Sequence, residues 1–65
     1  MTFDQCLKRL MLKKGLSQSE LARRMGVSRV CVHQWYWGIN EPNLEKLVRL
    51  KQILGCTWEE LIGDE

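Results

Sequence analysis

Apolar residues along this chain recur every three to four positions rather than in alternation, and polar punctuation divides them into short runs. That spacing is the period of helices with one buried face, so the pattern predicts an all-α fold. Each run opens on a residue able to cap a helix, and most close on glycine. Thr2 with Gln5 forms a capping box for a first helix running to about Lys14, with Phe3, Leu7, Leu10 and Met11 inward and Gly15 as its C-cap. Ser17 with Glu20 is a second capping box, opening a short helix whose buried stripe is Leu21, Ala22 and Met25 and which ends at Gly26. Ser28 caps a third helix to about Trp37, closed by Gly38, in which Cys31, Val32 and Trp35 face inward. Asn43 caps a fourth from Leu44 to Leu54, closed by Gly55, and Thr57 with Glu60 caps a last short turn. Leu44, Leu47, Leu50, Leu54, Trp58 and Leu61 are the core contribution expected of this half. With one proline, Pro42, in the longest non-periodic segment and no linker or repeat, residues 1–65 read as a single domain with one long loop.

Size makes that core small. A chain of 65 residues buries only about 60% of the surface it exposes when unfolded, so a disulfide, a metal or a second subunit often supplements it. Cys6, Cys31 and Cys56 lie about 25 residues apart, no C-x-x-C occurs and there is one histidine, so neither a disulfide framework nor a zinc site is expected. An odd cysteine count without a leader peptide points to a reducing cytoplasm, with all three thiols buried as small hydrophobes. Lys or Arg interrupts every apolar stretch well short of the roughly 18 residues a membrane span needs. A second subunit is the supplement that remains.

Net charge is +2, unevenly placed. Residues 1–38 carry seven Lys/Arg against Asp4 and Glu20, giving +5, while residues 39–65 carry three against six acidic residues, giving −3. The asymmetry fits either a face that meets a polyanion or ordinary solvated helix charge.

The informative segment is LSQSELARRMGVSRVCVHQWYWG, residues 16–38, where two short capped helices flank Gly26-Val27-Ser28. Glycine permits the sharp left-handed turn, Val27 plugs the angle, and Ala22 lets the second helix cross closely, which is the helix-turn-helix arrangement. On the third helix Arg29, Val30, His33, Gln34 and Trp37 form the outer face. A cation, an amide, an imidazole and an apolar group side by side suit the major groove, where donors, acceptors and thymine methyls all occur. Arg29 suits either guanine or a phosphate, Gln34 a bidentate adenine contact, Val30 a thymine methyl, and His33 a base, a phosphate or water. Gln18 opens the second helix, where free N–H groups and the positive dipole end attract phosphate. Arg23 and Arg24, and Lys13 and Lys14, add long-range attraction to a polyanion or are solvated charge. A lone His33 without a nucleophile partner does not point to catalysis.

Through KKGLSQSELARRMGVSR and the trailing EPNLEKLVRLKQILGCTWEELI, the chain resembles the lambda-repressor-like family of phage Cro and repressor proteins and Xre-type bacterial regulators. The resemblance implies a compact five-helix domain with the helix-turn-helix at helices two and three. It implies a transcriptional regulator, not an enzyme, that binds palindromic operator DNA as a homodimer with the third helix in the major groove. Arg29, Val30, His33 and Gln34 are then the base-reading set, and Gln18, Ser28, Trp37, Asn40, Asn43 and Leu44 the phosphate set. Short-tailed family members pair near Cys56, Thr57 and Trp58, a contact small enough to form on the operator itself. The setting implied is the nucleoid of a bacterial or phage-infected cell, with no cofactor, small-molecule ligand or membrane. An antitoxin-type or adaptor protein with a protein partner is the competing reading.

Two positions depart from the family pattern. Trp-Glu-Asn-Gly usually ends the third helix, whereas this chain has Trp35-Tyr36-Trp37-Gly38. Tyr36 and Trp37 are expected to be partly exposed, either offering N–H and O–H groups to phosphates or covering the first helix or the loop. Lys51 falls on the inward stripe, where the family has Ala, so its stem should lie on the core while its charge reaches solvent, Glu41 or Glu65. The end at Glu65 directly after the fifth helix favours a Cro-like protein, and a fragment of a longer repressor reads the same way.

Overall fold

The structure, a computed structural model, describes residues 2–63 and contains the five expected helices. They are α1 (Phe3–Lys14), α2 (Gln18–Met25), α3 (Arg29–Tyr36), α4 (Leu44–Leu54) and α5 (Trp58–Ile62). Local chemistry sets their starts. Ser17, Ser28, Asn43 and Thr57 each accept a hydrogen bond from the backbone N–H three residues on, at 2.9–3.1 Å. Each cap satisfies a donor that the first helical turn leaves without a partner. Capping boxes close at both chain ends, where the Thr2 N–H donates to Gln5 Oε1 and the Thr57 N–H to Glu60 Oε1.

α1 runs through the middle of the packing, against α3, α4 and α5, while α2 packs on α3 and α4. Leu7, Leu10 and Met11 of α1 meet Leu21, Ala22 and Met25 of α2, Val32 and Trp35 of α3, Leu50 and Leu54 of α4, and Leu61 of α5 in one cluster. Arg49 braces the second helix from outside that cluster. Its guanidinium donates to the Met25 carbonyl at 3.0 Å, placing a cation at the negative end of α2.

The turn between α2 and α3 depends on Gly26, whose φ of +73° is a left-handed conformation that a side chain disfavours. Gly38, at φ +71°, has a second constraint. A Cβ there would stand 3.3 Å from the Asp4 carboxyl carbon, so the chain leaves α3 close against the start of α1.

Several inward positions differ from the periodic reading. Leu44 is 72% exposed, because the buried arc of α4 is centred on Leu50 and Leu54. At about 100° per residue, Leu44 sits roughly a quarter turn off that arc. Trp58 begins α5 half-outside the core, and Cys31 is only half-buried, whereas Cys6 and Cys56 are buried as expected. α3 stops one residue early, with Trp37 as its C-cap donating its N–H to the His33 carbonyl. Lys51 is half-buried, and its ammonium stands 5.6 Å over the Trp58 ring rather than on Glu41. Glu65, the other partner expected for it, lies outside the described residues.

Candidate nucleic-acid interface

The start of α2 and the outer face of α3 converge on one open groove. Ser17, Gln18, Ser19, Arg29, Val30 and His33 line it, enclosing about 630 Å³. Ser17 uses its hydroxyl to cap the Glu20 N–H, which leaves the Gln18 and Ser19 N–H groups as the donors at the positive end of the helix. Arg29 and Val30 follow the Ser28 cap at the first two positions of α3. Val30 is 64% exposed, an apolar side chain standing free beside a cation and an amide.

Gln18 and His33 are joined directly, with His33 Nδ1 3.2 Å from Gln18 Oε1. Beyond His33, Trp37 packs its ring edge-to-face at 6.3 Å, and Tyr36 and Trp37 meet in the same manner at 5.3 Å. Lys8 of α1 lies over both aromatic rings, 4.4 Å from the centre of Trp37 and 5.2 Å from that of Tyr36. The rings thus lie against α1 through Lys8, as one of the two expectations had it, while Trp37 remains exposed.

On the other flank of α3, Cys31, Gln34, Asn40, Asn43 and Lys46 border a second recess, of about 300 Å³. Gln34 is half-buried there, and its Oε1 accepts from Asn40 Nδ2 at 3.0 Å. The Gln34 backbone carbonyl also holds the N–H groups of Ile39 and Asn40, at 2.9 and 3.3 Å. Asn40 thus orients the Gln34 amide, and Oε1 retains a second lone pair for an outside donor. Asn43 spends its Oδ1 on the Lys46 N–H, and Leu44 follows it as the first residue of α4.

Charge near the groove is partly compensated. Arg23 and Arg24 both grip Glu20, at 2.6 and 3.2 Å, and these guanidinium hydrogen bonds hold the Glu20 carboxyl below its ordinary pKa. Arg29 at the mouth, Lys8 over the aromatic rings and Lys46 beside the second recess are the cations positioned to act outward. Ser17 and Ser19 in the groove, Lys46 at the second recess and Lys8 over the aromatic rings escaped the sequence reading as site residues. Lys46 carried a usable signal, since it stands three residues after the Asn43 cap and hence in the first turn of α4.

At the α4–α5 corner the three expected subunit-contact residues divide. Cys56 is 8% exposed and turned inward, where burial first and the Glu60 carboxylate second push its thiol above the ordinary range. It offers little side-chain surface for a partner, which is a correction to its expected role. Thr57 caps α5, and Trp58, 38% exposed, carries the apolar surface of the corner together with Ile62.

Two short helices crossing at a left-handed glycine turn, buttressed by three more, define the lambda-repressor-like class of helix-turn-helix domain. The Helix-turn-helix family model matches residues 7–61, and the chain belongs to that family. Across its whole length it is 34% identical to the HTH-type transcriptional activator BcrR of Enterococcus faecalis, of which it spans 32%. Over 92% of its length it is 33% identical to the SPbeta prophage-derived HTH-type transcriptional regulator YonR of Bacillus subtilis strain 168, of which it spans 56%. The chain thus covers from just under a third to just over half of the length of these relatives. Among solved structures, a transcriptional regulator from Listeria innocua superposes with a TM-score of 0.88 at 30% identity, over 98% of this chain and 60% of that one. The P22 c2 repressor protein, solved in complex with synthetic operator 9T, also gives 0.88, at 28% identity, over 100% of this chain and 98% of the other.

Proposed function

We propose that this chain binds double-stranded operator DNA sequence-specifically and regulates transcription, with α3 in the major groove and without enzymatic activity or a cofactor. The observation that carries this reading is the single groove in which Gln18 and the first turn of α2 stand beside Arg29 and Val30 of α3. Donors at a helix start suit phosphate, and the adjoining mixed face suits base edges. Arg29, Val30 and Gln34 are the base readers. Gln18, Ser28, Trp37, Asn40, Asn43 and Leu44 address the backbone, the last through its N–H at the start of α4.

One α3 reaches only about four or five base pairs, so two copies act together on half-sites about 34 Å apart. Their contact is the exposed part of Thr57 and Trp58, small enough that the dimer forms chiefly on the operator. The likeness to the c2 repressor, whose structure contains an operator, supports this reading. The experiment is selection of binding sites from a random duplex library by gel shift. A two-fold symmetric motif with half-sites one helical turn apart is expected; recovery of unrelated sequences at any salt concentration refutes it.

A further inference from the structure

The hydrogen bond between His33 and Gln18 joins α3 to α2 across the groove at a separation of fifteen residues. A carbonyl oxygen has no proton to give, so the ring nitrogen facing Gln18 Oε1 carries one and donates it. In a neutral imidazole this arrangement calls for the hydrogen on Nδ1. It also occupies the acceptor end of Gln18 and leaves its amide nitrogen, with two N–H donors, as the end free to face the groove.

Phosphate oxygens only accept hydrogen bonds. A Gln18 held in this sense therefore presents the correct polarity beside the outward N–H groups of α2, whereas an untethered amide would turn either end outward and lose rotamer freedom on binding. The imidazole is held from behind as well. Trp37 packs edge-to-face on it at 6.3 Å, and Lys8 of α1 stands 4.4 Å over Trp37. Lys8, Trp37, His33 and Gln18 thus form one chain across three helices, which gives the unusual aromatic at position 37 a mechanical role.

Building on the DNA-binding reading above, we propose that His33 is a positioning residue for Gln18 as a phosphate ligand, and that Trp37 under Lys8 holds the imidazole in place. His33 then acts through Gln18 rather than on a base.

The test is a double-mutant cycle with the full chain and a fluorescent mixed-sequence duplex. Gln18→Ala weakens binding about tenfold, as loss of a hydrogen bond to a charged group does. His33→Ala weakens it about fivefold, and the double variant is no weaker than Gln18→Ala alone. His33→Asn restores binding to within about twofold, because Asn Nδ2 stands where imidazole Nδ1 does while Nε2 is gone. Additive losses, or an Asn variant as weak as the Ala variant, overturn the proposal. Long-range proton–nitrogen spectra of the imidazole give a readout without DNA: the Nδ1–H tautomer in the wild type, shifting toward Nε2–H in Gln18→Ala. An Nε2–H tautomer in the wild type overturns the positioning role. A wild-type chain with the Nδ1–H tautomer that binds no duplex overturns the DNA-binding reading alone and leaves the pairing of the two side chains intact.

Discussion

The α2–α3 groove and the α4–α5 corner are both exposed, yet they are built from opposite materials. In the groove, helix starts, amides and a guanidinium surround one exposed valine, Val30. At the corner, Trp58 and Ile62 are exposed apolar surface, with the Lys51 ammonium lying over the indole rather than projecting away. Outward donors serve a partner rich in acceptors, while an apolar patch gains from covering by another apolar surface. The two regions therefore differ in what they present, donors and positive charge in the groove and apolar surface at the corner, and on the proposed reading the first meets DNA and the second a second copy.

The scaffold shared by both regions gives the largest expected effect. Trp35 is buried beneath α3 and packs in the same cluster as Leu50, Leu54 and Leu61. Trp35→Ala should cost about 3–5 kcal/mol, which is most of the stability a domain this small possesses. Urea unfolding followed by circular dichroism measures it, and a loss below about 1 kcal/mol would mean that α3 does not depend on this anchor.

Within the groove, Gln34→Ala should cost about 1–3 kcal/mol of operator affinity and relax preference at one base pair per half-site. Site selection with the variant gives the answer, and an unchanged motif removes Gln34 from the readers. The corner is probed by Trp58→Ala, expected to lower cooperative binding to a two-half-site duplex while leaving a single half-site almost untouched. Equal loss on both duplexes would assign Trp58 to the core alone.

What the sequence revealed and what it hid follow the same division between local and tertiary causes. Ser17, Ser28, Asn43 and Thr57 were legible as caps because a cap depends only on its own side chain and the next three residues. The groove followed from these, since two capped helices separated by Gly26 admit few arrangements. Leu44 was misplaced because periodicity gives the width of an apolar stripe but not the angle at which a neighbouring helix meets it. Cys56 was assigned to a surface that its burial denies it. The pairing of His33 with Gln18, and of Lys8 with Trp37, joins residues far apart in the chain, where no local pattern signals contact.

The smallest expected effect is the pH response of exposed carboxylates. Arg23 and Arg24 lower the pKa of Glu20, and the Thr57 backbone N–H, first among several causes, lowers that of Glu60. A carboxyl whose folded pKa lies below its unfolded value contributes stability that is complete above the unfolded value and disappears as pH falls through the folded one. Thermal midpoints should therefore decline modestly as pH drops below about 4.5. Glu20→Gln should flatten part of that decline, and an unaltered profile would show that its guanidinium contacts do not stabilise the fold.

The distinction between the two regions is tested most directly by titrating a single half-site duplex into isotope-labelled protein and following the backbone amide resonances. Shifts should concentrate on Ser17, Gln18, Ser19, Arg29 and Val30, with smaller ones at Asn43 and Leu44, while Trp58 and Ile62 stay in place. Shifts centred on Trp58 and Ile62, with the α2–α3 groove silent, would contradict the assignment of the groove to DNA.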